Sequence, residues 1–175
     1  MKLILACLFL YSLMPISTMA AVPKSPIVAK EPKNILQKNG ALRGGRSAGV
    51  YSLLDIRSST SKNKKIERIV LDIGNASMQK SRGLIGYYNV ELKNGNKVLI
   101  DLPQTLNSKV EPQHLGKKLI KSAFIKNSQL LFDPITQNTS LVFDLKKYAK
   151  VRVLSVRGGK QTGKLVVDLI EDTQR

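Results

Sequence analysis

Four stretches share one pattern: Ile69-Val70-Leu71-Asp72-Ile73, Val98-Leu99-Ile100-Asp101-Leu102, Leu141-Val142-Phe143-Asp144-Leu145 and Leu165-Val166-Val167-Asp168-Leu169. Each sets three apolar residues before an aspartate and another apolar residue after it. Side chains on a strand alternate between its faces. Ile69, Leu71 and Ile73 therefore share one side, and Val70 and Asp72 share the other. The all-apolar rows belong to a core. The opposite rows read Arg68-Val70-Asp72, Lys97-Leu99-Asp101, Ser140-Val142-Asp144 and Lys164-Val166-Asp168. Three of them are base, aliphatic, acid. Base and acid on one strand stand about 13 Å apart, too far to pair. An antiparallel neighbour instead sets one strand's base beside another's acid, a gain of about 0.2–1 kcal/mol per exposed pair.

Outward from these repeats, the chain from Tyr51 onward consists of short β-branched and apolar runs separated by polar loops, the texture of an all-β domain. Strands are predicted near 51–57, 67–74, 87–93, 97–102, 119–126, 139–146, 150–157 and 164–170, and no sustained 3.6-residue period marks a helix. Asn94-Gly95 joins two of these strands in a tight hairpin, and Gly158-Gly159 through Gly163 joins the last two. Asp72 to Asp144 is 72 residues and Asp101 to Asp168 is 67, so the halves match in length. The expected fold is all-β: a sandwich of two pseudo-symmetric four-stranded sheets over residues 50–172, with a tail at 173–175.

Residues 1–20 read as a cleaved signal peptide: Lys2, an apolar run from Leu3 to Met14, the breaker Pro15 and the small-residue site Thr18-Met19-Ala20. The run is too short to span a bilayer, which takes about 20 residues, so no transmembrane segment is expected after cleavage. Cys7, the only cysteine, follows a lipoprotein-like Leu3-Ile4-Leu5-Ala6, but too few residues precede it for an insertion segment. Residues 21–49 carry three prolines and four glycines and no aromatic residue, with Glu31 as the only acid. They read as a flexible basic linker. Within them Arg43-Gly44-Gly45-Arg46 is a single copy of an RNA-binding-type Arg-Gly pattern. The 175 residues include 29 Lys and Arg against 12 Asp and Glu, a net charge of +17, and losing Lys2 with the leader leaves +16. Such a chain attracts polyanions. Export makes cell-wall carboxylates, lipopolysaccharide phosphates and anionic lipids the candidates ahead of cytoplasmic nucleic acid.

Several chemistries are excluded by residue type. A single histidine, His114, cannot furnish a zinc hydrolase site, and no nucleophile elbow accompanies it. Gly158 to Lys164 has most of a phosphate-binding loop, but Leu165 stands where Ser or Thr must bind magnesium, and a strand follows instead of a helix. Asp72 and Asp101 each share a row with a base that keeps a carboxylate ionised, so neither reads as a general acid for glycoside cleavage. No enzymatic activity and no cofactor are expected.

The repeats and their order resemble the AMIN domain, a module found beside the catalytic domains of cell-separation amidases and in type IV pilus secretins. The matching stretches are Ser52-Leu53-Leu54-Asp55-Ile56-Arg57, Glu67-Arg68-Ile69-Val70-Leu71-Asp72, Lys97 to Pro103, and Leu141 to Asp168. The resemblance covers residues 50–172. It implies two symmetric four-stranded sheets with their motifs on the outer faces, a periplasmic location and peptidoglycan binding. The chain departs from the family's setting in that no partner domain follows before Arg175, so a recruited partner is expected to be a separate polypeptide.

The expected function is that of a periplasmic, non-catalytic cell-wall-binding module. Arg68, Lys97 and Lys164 face wall carboxylates, and Asp72, Asp101, Asp144 and Asp168 accept from sugar hydroxyls or amides while orienting those bases. Two alternatives are an accessory protein of a pilus, secretin or cell-division complex, with a separate amidase or secretin as partner, and a binder of lipopolysaccharide or DNA.

Overall fold

In the computed structural model, residues 34–46, 49–80, 85–156 and 163–173 are described. The expected leader and the Gly158-Gly159 turn lie outside these residues. The described elements are β1 (Ile35–Leu36), β2 (Gly40–Gly44), β3 (Tyr51–Thr60), β4 (Ile66–Asn75), β5 (Tyr88–Lys93), β6 (Lys97–Pro103), β7 (Thr105–Ser108), α1 (Pro112–Leu119), β8 (Ile125–Asp133), β9 (Asn138–Leu145), β10 (Ala149–Val156) and β11 (Gly163–Glu171).

The strands form two sheets, ordered β1-β10-β11-β4-β3-β7 and β2-β5-β6-β9-β8. Among these described neighbours, only β3 and β7 run parallel. The four repeats lie on β4, β6, β9 and β11, which occupy inner positions: β4 pairs with β11 in the first sheet and β6 with β9 in the second. Alternate residues of these strands, among them Ile69, Leu71, Ile100, Leu141, Phe143, Leu165 and Val167, enter one core fed by both sheets. On the opposite face Val70, Leu99 and Val142 are half-buried and Val166 is buried. Near-continuous apolar runs suit strands covered to this degree on both faces.

The order β3-β4-β11-β10 in the first sheet has a strand-for-strand counterpart in β8-β9-β6-β5 of the second. The irregularities correspond too. β3 slips against β4 between Leu53 and Asp55, and β8 slips against β9 between Ile125 and Asn127. After each slip the next pair is Asp55 opposite Asp72 in one sheet and Asn127 opposite Asp144 in the other.

Four expectations are corrected. The sheets hold six and five strands instead of four each, because β1, β2 and β7 extend them. Part of the expected 21–49 linker is structured: Leu36 is buried and Leu42 packs against the core. Two apolar anchors hold what the segment's average composition disguises. A helix, α1, stands where none was expected; Pro112 opens it, and Leu115 and Leu119, one turn apart, are its buried side chains. The strand expected at 119–126 is β8, at Ile125–Asp133, since Leu119 closes the helix.

One acid sits on a core-facing row. Glu67 alternates with Ile69 and Leu71 and is fully buried. Its Oε2 accepts from the Ser122 hydroxyl at 2.7 Å and the Phe124 amide at 3.0 Å. It ties the segment between α1 and β8 to β4 and gives the buried Ser122 hydroxyl its acceptor, while the Phe124 amide also reaches Ser122 Oγ at 3.1 Å.

Candidate functional site

Strand alternation sends the other rows of each sheet outward, and the registers fix which of them adjoin. On the first sheet Val70, Val166 and Leu154 lie in line across β4, β11 and β10, a three-residue aliphatic stripe. On one flank Arg68, Asp168 and Arg152 form a parallel row. On the other, Asp72 lies opposite Lys164. Arg57, on β3, reaches Asp72 with Nη2 at 2.8 and 3.1 Å from its two carboxylate oxygens.

Asp168 stands between two guanidinium groups. Arg68 Nε donates to Oδ1 at 2.7 Å and Arg68 Nη2 to Oδ2 at 3.0 Å, while Arg152 donates to Oδ2 from Nε and Nη2 at 3.1 and 2.6 Å. Burial pushes the Asp168 carboxyl up, but the hydrogen bonds and charges of Arg68 and Arg152 outweigh it and hold the carboxyl below its ordinary range. The same pairing raises Arg68, so its guanidinium stays charged. The expectation that Asp168 contacts a ligand is corrected. It lies on the outward row but has no exposed surface, because two long basic side chains meet over it. Asp168 positions the two arginines, which remain 48% and 32% exposed and present donors to solvent.

The second sheet repeats the scheme with weaker pairing. Leu99 and Val142 adjoin on β6 and β9. Lys97 Nζ stands 3.5 Å from Asp144 Oδ1, with both side chains substantially exposed. Asp101 accepts from Ser140 Oγ at 2.7 Å and Asn89 Nδ2 at 3.3 Å, and Arg43 on β2 continues that row beyond Asn89.

The seven expected site residues thus fall into two groups on different faces: Arg68, Asp72, Lys164 and Asp168 on the first sheet, Lys97, Asp101 and Asp144 on the second. Arg57, Arg152 and Arg43 join them, and the repeats single out none of the three. Arg57 and Arg152 have outward parity on their strands, a signal the sequence does carry. Arg43 sits in a segment whose composition reads as linker. The chain matches no protein-family model and no curated protein.

Proposed function

We propose that this chain is an exported, non-catalytic cell-wall-binding module of the AMIN type, a duplicated β-unit acting through its outer sheet faces. The observation that carries the reading is the row Arg68-Asp168-Arg152 beside the stripe Val70-Val166-Leu154. A buried carboxylate fixes two guanidinium groups whose planar forks suit carboxylates, and the half-buried Val70 and Leu154, on either side of the buried Val166, offer contact for the apolar faces of sugars and peptide side chains. Peptidoglycan carries both groups in repeating order. The corresponding strand orders of the two sheets, the apolar run at residues 3–14 and the net charge of +17 support the same reading. The test is localisation: the protein is expected in the envelope fraction and to leave it when the wall is digested enzymatically. Retention in the cytoplasm, or an envelope association indifferent to wall digestion, contradicts it.

A second reading, a protein-docking subunit of an envelope complex, draws on β8. This strand closes one edge of the second sheet, and Leu131, Phe132 and, just beyond it, Ile135 are exposed. Uncovered edges with apolar side chains are templates for another chain. Persistence in a membrane complex after wall digestion favours it.

A further inference from the structure

Where the outer face of the second sheet reaches β2, the row of Asp101, Asn89 and Arg43 enters an open groove of about 800 Å³ whose lining is mostly apolar surface. Arg43, Tyr87, Tyr88, Asn89, Asp101 and Asn138 line it. These residues come from four separate strands and a loop, and no single stretch of sequence announces the site.

The corner that carries the aromatic rings is tightly built. A Cβ on Gly44 would collide with the Tyr88 ring, and one on Gly45 would collide with the Gly86 carbonyl. Gly45 also holds φ at +88°, a conformation that side-chain-bearing residues adopt at a cost. The backbone of 43–46 can therefore run directly against 85–88, secured by the Arg46 amide donating to the Ile85 carbonyl at 3.2 Å and the Tyr51 hydroxyl donating to the Arg46 carbonyl at 3.3 Å. Tyr88 packs against the core, and the next ring, Tyr87, is left 49% exposed on a braced support. An exposed tyrosine on a fixed backbone gives a broad amphipathic contact at low ordering cost.

The polar lining is under-committed. The Asn89 and Asn138 amides donate only at 3.3 Å, to Asp101 and Ser140, beyond the usual 2.9–3.0 Å. Both keep a side-chain oxygen buried with no hydrogen-bond partner among the described residues. Unmade bonds of this kind are costly and call for explanation, and a carboxamide turns readily about χ2 to meet a ligand. Arg43 is exposed and makes no ion pair among the described residues. An apolar concavity with a few convergent polar groups is the general form of a small-ligand site.

We infer that this groove binds a carbohydrate chain with acetamido and carboxylate substituents, Tyr87 stacking on the apolar face of a pyranose ring. Asn89, Asn138 and Asp101 meet hydroxyl and amide groups, and Arg43 meets the carboxylate. A nucleic-acid strand is a poorer fit, since phosphates require several cations, whereas the groove has one arginine and sets Asp101 near it. The inference rests on the cell-wall reading for the source of the glycan, not for its chemistry.

The test uses the purified full chain. Binding is read by isothermal titration calorimetry, because only Tyr87 and Tyr88 of the five tyrosines line the groove and the Tyr87 variants would alter a tyrosine fluorescence signal themselves. The probes are a neutral N-acetylglucosamine tetrasaccharide, peptide-free glycan strands prepared from sacculi, and the polysaccharide of lipopolysaccharide. Saturable binding is expected for the sacculus glycan, with at least a tenfold loss in Tyr87→Ala and little loss in Tyr87→Phe. Arg43→Ala is expected to weaken the carboxylate-bearing glycan severalfold and the neutral tetrasaccharide little. Circular dichroism and the thermal midpoint check that each variant is folded. Folded Tyr87→Ala binding every saccharide as the parent does overturns the inference. So does an absence of saccharide binding by a protein that sediments with sacculi, a result that leaves the cell-wall reading standing. Tyr87-dependent binding of lipopolysaccharide sugar alone upholds the groove and counts against the wall.

Discussion

Arg68 and Asp168 meet across the pairing of β4 with β11, Nε to Oδ1 at 2.7 Å and Nη2 to Oδ2 at 3.0 Å, a hundred residues apart in sequence. Arg152 closes on the same carboxylate from β10. The three residues link the two halves of the chain at the centre of the first sheet, and they set the geometry of its outer face. On the proposed cell-wall reading, one carboxylate therefore couples stability to binding.

Asp168→Asn is expected to cost about 2 kcal/mol, the scale of a lost charge-assisted hydrogen bond in a covered site. The loss falls short of the roughly 3–5 kcal/mol seen when a fully buried pair is broken, because both guanidinium groups keep access to water. Urea denaturation measures it. A change below about 0.5 kcal/mol would mean that the row is ordinary surface chemistry.

The same carboxylate predicts a pH dependence. Its folded-state pKa is depressed, so it contributes stability above its unfolded value of about 3.9. That contribution disappears as pH falls through the lower folded value. Urea midpoints are expected to drop on acidification below about pH 4, and to drop less steeply in Asp168→Asn. Identical acid profiles for the two proteins would contradict the assignment.

Arg57 offers a test of the proposed binding face apart from stability. Its pairing with Asp72 is exposed on the arginine side, so Arg57→Ala is expected to change stability by less than about 1 kcal/mol. Retention on sacculi is expected to fall severalfold. Thermal melts and co-sedimentation on the same preparation decide, and unchanged retention would remove Arg57 from the binding face.

A chain beginning at residue 50 loses β1 and β2, and with them the burial of Leu36 and the partial burial of Leu42. Relative to a chain beginning at residue 34, it is expected to be less stable by about 3 kcal/mol, at roughly 1.5–3 kcal/mol for each fully buried aliphatic side chain. Equal urea midpoints would show that these strands are dispensable.

Much of the central architecture is legible in the residues themselves. Period-two alternation locates β3, β4, β5, β6, β9, β10 and β11 to within a few positions, because long strands with one apolar row leave little freedom of register. The pairing of base with acid across strands also follows, since Arg68 does lie opposite Asp168, Asp72 opposite Lys164 and Lys97 opposite Asp144. Closure over Asp168 is not legible, because it depends on Arg152 arriving from β10 as well as Arg68 from β4. The edge strands β1 and β2 escape because so few residues carry too little pattern against a Gly- and Pro-rich background. α1 escapes because one turn separating Leu115 from Leu119 is no periodicity. The groove is built from residues 43, 87–89, 101 and 138, which only tertiary structure assembles.

Co-sedimentation with purified sacculi in about 0.15 M salt, where surface charge is screened beyond roughly 8 Å, tests the central claim most directly, with an unrelated protein of equal size and net charge as reference. The chain is expected to be retained well above the reference and to be displaced by soluble wall fragments. Retention no greater than that of the reference would contradict a binding face organised by Arg68, Asp168 and Arg152.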